Sequence, residues 1–224
     1  VTVYGDVVVP RGGVLWTGSL IDICARVGIS ETLVRTAVSR LVAARRLAGE
    51  RVGRRSYYRL DLAARDEFAR AAALLYAPDP APRGWQVLHA PTLSDDEARD
   101  LRLGRIAPGV FLRPDRGEPA PPGAVLFRAA DPDPPADPGR YWNLLELQAR
   151  YLDIMARFSG IETAASTMSD ETALVVRLLL VEVWRHVLLR DPRLPDAALP
   201  RDWKGAEARA LFVRLYRALT PAAE

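Results

Sequence analysis

Apolar residues recur at helical spacing over residues 19–27 (SLIDICARV), with Leu20, Ile23 and Val27 on one face. Gly28 follows, suited to the left-handed backbone that ends a helix. Ser30 is placed to cap a second helix over residues 31–45 (ETLVRTAVSRLVAAR). Its apolar stripe predicts Leu33, Ala37, Leu41 and Ala44 as the buried face, with Val34 and Val38 beside them. Thr32, Arg35, Thr36, Ser39 and Arg40 fall outside that stripe. The pattern then changes to strand character: residues 47–52 and 56–60 flank Gly53-Arg54-Arg55, a hairpin with a basic tip. A third helix is predicted over 62–76.

Further along, residues 85–89 (WQVLH) read as a strand. Ser94 caps a short helix whose first turn carries Asp95, Asp96 and Glu97, favourable at the positive end of the helix dipole. Two more strands are predicted at 109–113 and 124–128. Strand, helix, strand, strand is the pattern of a small α+β unit of ferredoxin-like type. Residues 141–220 are helical, with long periodicity over 142–158 and 170–190. Ser169 caps the second of these helices, Asp191-Pro192 stops it, and a last helix covers 205–219 behind a packing anchor at Trp203. Proline-rich stretches at 77–82 and 131–138 divide the chain, and 116–123 reads as a loop tip. The expected fold class is α+β: a winged helix domain at 1–76, a ferredoxin-like middle domain at 83–130 and a helical C-terminal domain at 139–224.

Composition supports a globular chain of 224 residues with 49% hydrophobic content, longer than one typical domain of about 100–150 residues. The chain starts at Val1 rather than Met, which points to a trimmed start. No run approaches about 18 uncharged apolar residues, so no membrane span is expected. No basic segment precedes an apolar one, so no secretion signal is visible and a cytoplasmic location is expected. The single cysteine, Cys24, cannot form an internal disulfide and lacks the spaced partners of a zinc site, so it reads as a small buried residue. With two histidines and no glycine-rich phosphate loop, catalytic, metal and nucleotide sites all lack parts, and no enzyme activity is expected.

Charge separates the chain. Residues 1–65 hold eleven arginines against Asp6, Asp22, Glu31, Glu50 and Asp61, a net +6; the whole chain carries +3, so the remainder carries −3. Helix, glycine turn, second helix and basic hairpin together make a winged helix-turn-helix. The second helix would enter the major groove, which is about as wide as a helix. Candidate DNA contacts are Ser30, Thr32, Arg35, Thr36, Ser39 and Arg40 on that helix, and Arg54, Arg55, Ser56 and Tyr57 on the wing. From Thr32 to Ala48 there are four arginines and no acid, unlike a merely solvated face that alternates charges in i,i+4 pairs. One recognition helix reads too few base pairs for specific binding, so a homodimer on a palindromic operator is expected. The competing reading is a metabolite-binding module or enzyme that uses its winged helix for protein docking.

Specific runs carry a resemblance. Tyr4-Gly5-Asp6, Arg11-Gly12-Gly13, Trp16-Thr17-Gly18-Ser19-Leu20, Gly28-Ile29-Ser30, the stretch from Val34 to Leu41 and Val52-Gly53-Arg54-Arg55-Ser56-Tyr57-Tyr58 are similar to the PaaX family of regulators of phenylacetic acid degradation. Arg190-Asp191-Pro192, Leu194-Pro195, Leu199-Pro200, Asp202-Trp203 and Leu215-Tyr216 fit as well. The resemblance implies a dimeric transcriptional repressor released by an acyl-CoA or aryl-CoA thioester such as phenylacetyl-CoA. It also implies a middle domain like the small ferredoxin-fold nucleases of CRISPR adaptation. His89 stands in His-Ala-Pro where that kind of domain has Asp-x-Pro, so nuclease activity is not expected here.

A CoA thioester needs cations for its phosphates and an apolar, aromatic pocket for its acyl group. Candidate effector residues are Trp142, Arg150, Tyr151, Arg177, Arg185 and His186. The alternative is that they are interhelical ion pairs and buried aromatics, with Glu182 pairing Arg185 or His186. No acid at i,i+4 spacing explains Arg177.

Overall fold

The computed structural model describes residues 2–77, 80–129 and 140–223. The proline-rich stretch at 131–138 lies outside the described residues, as do two residues of the one at 77–82. The fold is mixed α+β with two small antiparallel sheets. It divides into two compact units, each drawing on separate parts of the chain. The first comprises Val1–Ala77, Gly160–Trp184 and Phe212–Glu224; the second comprises Pro78–Ser159 and Arg185–Leu211.

In the first unit, Val3–Val8 forms a wide helical turn and Val9–Arg11 a tighter one, ending at Gly12 with φ +88°. Strand β1 (Val14–Trp16) leads into helix α1 (Thr17–Arg26). Gly28 takes φ +78°, a region open to glycine without steric cost. Helix α2 (Glu31–Ala43) starts at Ser30, whose hydroxyl accepts the Leu33 amide at 3.4 Å. Strands β2 (Leu47–Val52) and β3 (Arg55–Leu60) pair in register around a two-residue loop, with Gly53 at φ +60° as such tight hairpins require. Strand β1 pairs with β3, giving the sheet order β1–β3–β2. Helix α3 (Leu62–Tyr76) follows, capped by Asp61.

The core of this region joins Tyr4 and Val8 to Leu20, Cys24, Val34, Val38, Leu47 and Leu60. Cys24 is a buried free thiol in that core. The buried face of α2 therefore differs from the predicted stripe. Val34 and Val38 are buried and Leu41 is half-buried, whereas Leu33, Ala37 and Ala44 are exposed, Leu33 to 61%. Both alternatives were helically spaced; Tyr4 and Val8, distant in sequence, decide which one the core covers.

In the second unit, β4 (Trp85–His89) is central in a four-stranded sheet with β6 (Val110–Pro114) on one side and β7 (Val125–Ala129) on the other. Strand β5 (Gly104–Ala107) completes the order β5–β6–β4–β7. The sequence pattern did not predict β5, which is only four residues long and begins on glycine. Helix α4 (Asp95–Asp100) carries a reciprocal capping box between Ser94 and Glu97 and packs Ala98 against Leu88, Leu103 and Phe111. Residues between β6 and β7 make no strand; Asp115 and Arg113 hold them through Gln86, the Gly117 amide and the carbonyls of Glu118 and Pro119.

Helix α5 (Leu144–Phe158) buries Leu144, Leu147, Tyr151, Ile154 and Phe158, a regular stripe of threes and fours. Helix α6 (Asp170–Leu188) is capped by Ser169, and helix α7 (Gly205–Ala223) ends the chain. Trp203 contacts the Tyr151 ring edge-on at 5.6 Å. A Cβ on Gly205 would sit 2.4 Å from the Trp203 indole nitrogen, so only glycine fits there without a shift. Among the described residues, no helix is long and apolar enough to cross a membrane, and no group of three His, Cys, Asp or Glu is placed to hold a metal.

Candidate functional site

In the first unit, Thr32, Arg35, Thr36, Ser39 and Arg40 are all exposed on α2, away from the buried Val34 and Val38. Ser30 is exposed and occupied as the helix cap. Arg35 donates to Glu31 at 2.7 Å, an i,i+4 pair with the one acid just outside the stretch that lacks acids. Such an exposed pair is worth only about 0.3–0.5 kcal/mol, so it leaves the guanidinium available to a stronger partner. The Thr36 hydroxyl donates to the Thr32 carbonyl at 2.8 Å.

A concave surface of about 420 Å³ lies between α2 and the β2–β3 hairpin. It brings together Arg35, Ser39 and Ser56, and adds Arg51, which the sequence pattern did not single out, beside the acid Glu50. Arg54 and Arg55 are exposed at the hairpin turn, and Ser56 and Tyr57 are half-buried behind them. The Arg55 guanidinium lies over the Trp16 ring, 4.9 Å from its centroid. The surface is thus a helix of short hydroxyl and arginine side chains beside a basic hairpin, in the part of the chain that carries +6.

The predicted effector residues are distributed differently. Trp142 and Arg150 line a cavity of about 590 Å³ in the second unit, between α4, β5 and the start of α5. Tyr151, Arg185 and His186 belong to the same unit but do not line it. Tyr151 is buried and its hydroxyl donates to Asp191. Arg177 belongs to the first unit, where it pairs with Asp6. Glu182 accepts a hydrogen bond from Thr2.

The cavity gathers Arg99, Arg102, Arg105, Arg150 and Arg190 with Asp95 and Glu146, a net +3 for its charged lining. Arg99 pairs with Asp96, Arg105 with Asp95 and Arg150 with Glu146. Among the described residues, the Arg102 and Arg190 side chains form no ion pair. Burial and then the nearby Arg193 push the Arg102 pKa down to about 10, which still leaves a cation at neutral pH. Phe111, Tyr141 and Trp142 supply aromatic walls. Trp142 is fixed by its indole donating to the Arg102 carbonyl at 3.1 Å. A Cβ at Gly104 would lie 2.6 Å from the Trp142 ring, so that ring depends on the glycine. Arg102 and Arg105 could not be grouped with Arg99 from the sequence, because the turn after α4 and the unpredicted β5 bring them to the cavity.

Comparison with known proteins adds to this geometry. Residues 1–63 match the family model described as PaaX-like protein, and residues 142–224 match that of the PaaX-like protein C-terminal domain. The chain is 31% identical over 252 aligned positions to the transcriptional repressor PaaX of Escherichia coli (strain K12), covering 99% of this chain and 79% of that protein. A solved structure, the uncharacterized protein Rv0674 from Mycobacterium tuberculosis, superposes with a TM-score of 0.61 at 25% identity, over 98% of this chain and 94% of that one. The chain belongs to the PaaX family.

Proposed function

We propose that this protein is a DNA-binding transcriptional repressor built on a winged helix-turn-helix. Helix α2 is the recognition helix and the β2–β3 hairpin the wing. The observation that carries this reading is the row of exposed Thr32, Arg35, Thr36, Ser39 and Arg40 on α2, whose Arg35 and Ser39 share one concave surface with Arg51 of a hairpin that also exposes Arg54 and Arg55. Arginine can bond guanine at two acceptors in the major groove, and the wing arginines suit backbone phosphates. The relative in Escherichia coli is named a transcriptional repressor, which supports the same reading. The protein acts as a homodimer, so that two recognition helices read the two halves of a palindromic operator. The second unit, with the strand order and pairing of a ferredoxin-like sheet, carries no catalytic role in this account.

Repression is relieved by a small effector of the acyl-CoA or aryl-CoA class, for which the arginine-lined cavity of the second unit is the site. Its arginines suit phosphates, and Trp142 and Tyr141 suit an acyl or aryl group. Titration of duplex DNA at increasing salt tests the main reading. Affinity should fall steeply and linearly in log–log form as phosphate-bound counterions are displaced. A flat response would favour a winged helix used for protein docking.

A further inference from the structure

We propose that Trp16, Thr17 and Gly18 form a clamp that holds the wing arginine Arg55 in place for a DNA phosphate. The proposal rests on the DNA-binding reading and assigns a task to three residues outside the recognition helix and the wing. Each makes a different contact at the same place. Trp16 ends β1, pairs with Tyr57 of β3, and places its ring beneath the Arg55 guanidinium at 4.9 Å. The buried Thr17 hydroxyl donates to the Ser56 carbonyl at 2.7 Å, fixing the backbone next to Arg55. Gly18 leaves the space the ring needs: a Cβ there would lie 2.5 Å from the Trp16 ring.

An arginine at a hairpin turn ordinarily samples many rotamers, and ordering it on binding costs affinity. The Trp16 ring stacks a weakly hydrated guanidinium in one orientation while leaving its N–H groups free for a phosphate. Arg55 itself remains exposed. Trp16 is 38% exposed, unusual for a tryptophan with only a packing role. Arg54, one residue earlier, has no such ring beneath it among the described contacts. Trp16, Thr17 and Gly18 are therefore positioning residues, and Arg55 is the contact.

The salt dependence of binding to a mixed-sequence DNA duplex tests this, because each lost phosphate contact reduces the log–log slope by about 0.9. Arg55→Ala should lower the slope by that amount, so that the affinity ratio between about 50 and about 200 mM salt shrinks by a factor of about 3.5. Trp16→Leu and Gly18→Ala should each reproduce much of that loss, Trp16→Phe should keep the parent slope, and adding Trp16→Leu to Arg55→Ala should change the slope no further. Thermal melting of each variant confirms that it is folded before the slope is read. A wild-type slope in Trp16→Leu and Gly18→Ala, or in Arg55→Ala itself, overturns the clamp. Loss of salt dependence in the unsubstituted protein would instead overturn the DNA-binding reading.

Discussion

Asp6 and Arg177, 171 residues apart, form a buried ion pair at 2.9 Å. The carboxylate also accepts from the hydroxyls of Tyr76 at 3.0 Å and Tyr216 at 2.9 Å, and the guanidinium lies over the Tyr216 ring at 4.5 Å. Burial alone would lower the arginine's pKa, but the hydrogen bonds and charge of Asp6 outweigh it and raise it. One polar knot thus ties the N-terminal turn to α3, α6 and α7 within the first unit.

Breaking that knot from one side leaves a buried charge without its partner. Asp6→Leu or Arg177→Met should each destabilise the protein by about 3–5 kcal/mol in urea denaturation. The double variant Asp6→Leu/Arg177→Met should cost less than either single one, because neither charge is then stranded. Additive losses would show that the two residues act separately.

Alkaline pH should loosen the same region. Burial, and next the Asp6 carboxylate, raise the hydroxyls of Tyr76 and Tyr216 above their ordinary value of 10.0. As pH rises past about 10, tyrosines in the unfolded chain lose protons before these two do, so unfolding is favoured. Their contribution is complete below pH about 10 and is lost as pH climbs toward the folded values. Melting temperature should fall above that pH, and less steeply in a Tyr76→Phe/Tyr216→Phe variant.

The two faces of α2 should respond unequally to substitution. Val38→Ala removes two buried methyl groups and should cost about 2 kcal/mol. Leu33→Ser, at a position 61% exposed, should stay within about 0.5 kcal/mol of the parent. The reverse order in denaturant midpoints would restore the sequence-predicted stripe.

Ligand binding at the arginine-lined cavity should appear as stabilisation. Phenylacetyl-CoA at about 100 times its Kd should add about 2.7 kcal/mol and raise the melting temperature. Arg102→Met, Arg190→Ala and Gly104→Ala should each reduce that shift, the last by displacing the Trp142 ring. No stabilisation by any thioester tested would indicate a regulator without this class of effector.

Local patterns made much of this legible in the sequence. Ser30, Ser94 and Ser169 announced three helix starts through their capping chemistry, and the Gly53 turn announced the hairpin. The exposure of the polar residues of α2 was legible too, although the apolar stripe drawn beside them was not the buried face. What stayed hidden depended on distant partners or short elements. Nothing near Arg177 in sequence announced Asp6. The three residues of β1 and four of β5 were too short for a periodic signal, so neither the Trp16 ring under Arg55 nor the cluster of Arg99, Arg102 and Arg105 could be read from spacing.

The most direct test of the proposed DNA-reading surface is the affinity of Arg35→Ala and Arg40→Ala for a genomic fragment recovered by pull-down with the intact protein. Each substitution should weaken specific binding by about 1–3 kcal/mol, while non-specific binding changes less. Parent affinity in both folded variants would contradict the assignment of α2 as the recognition helix.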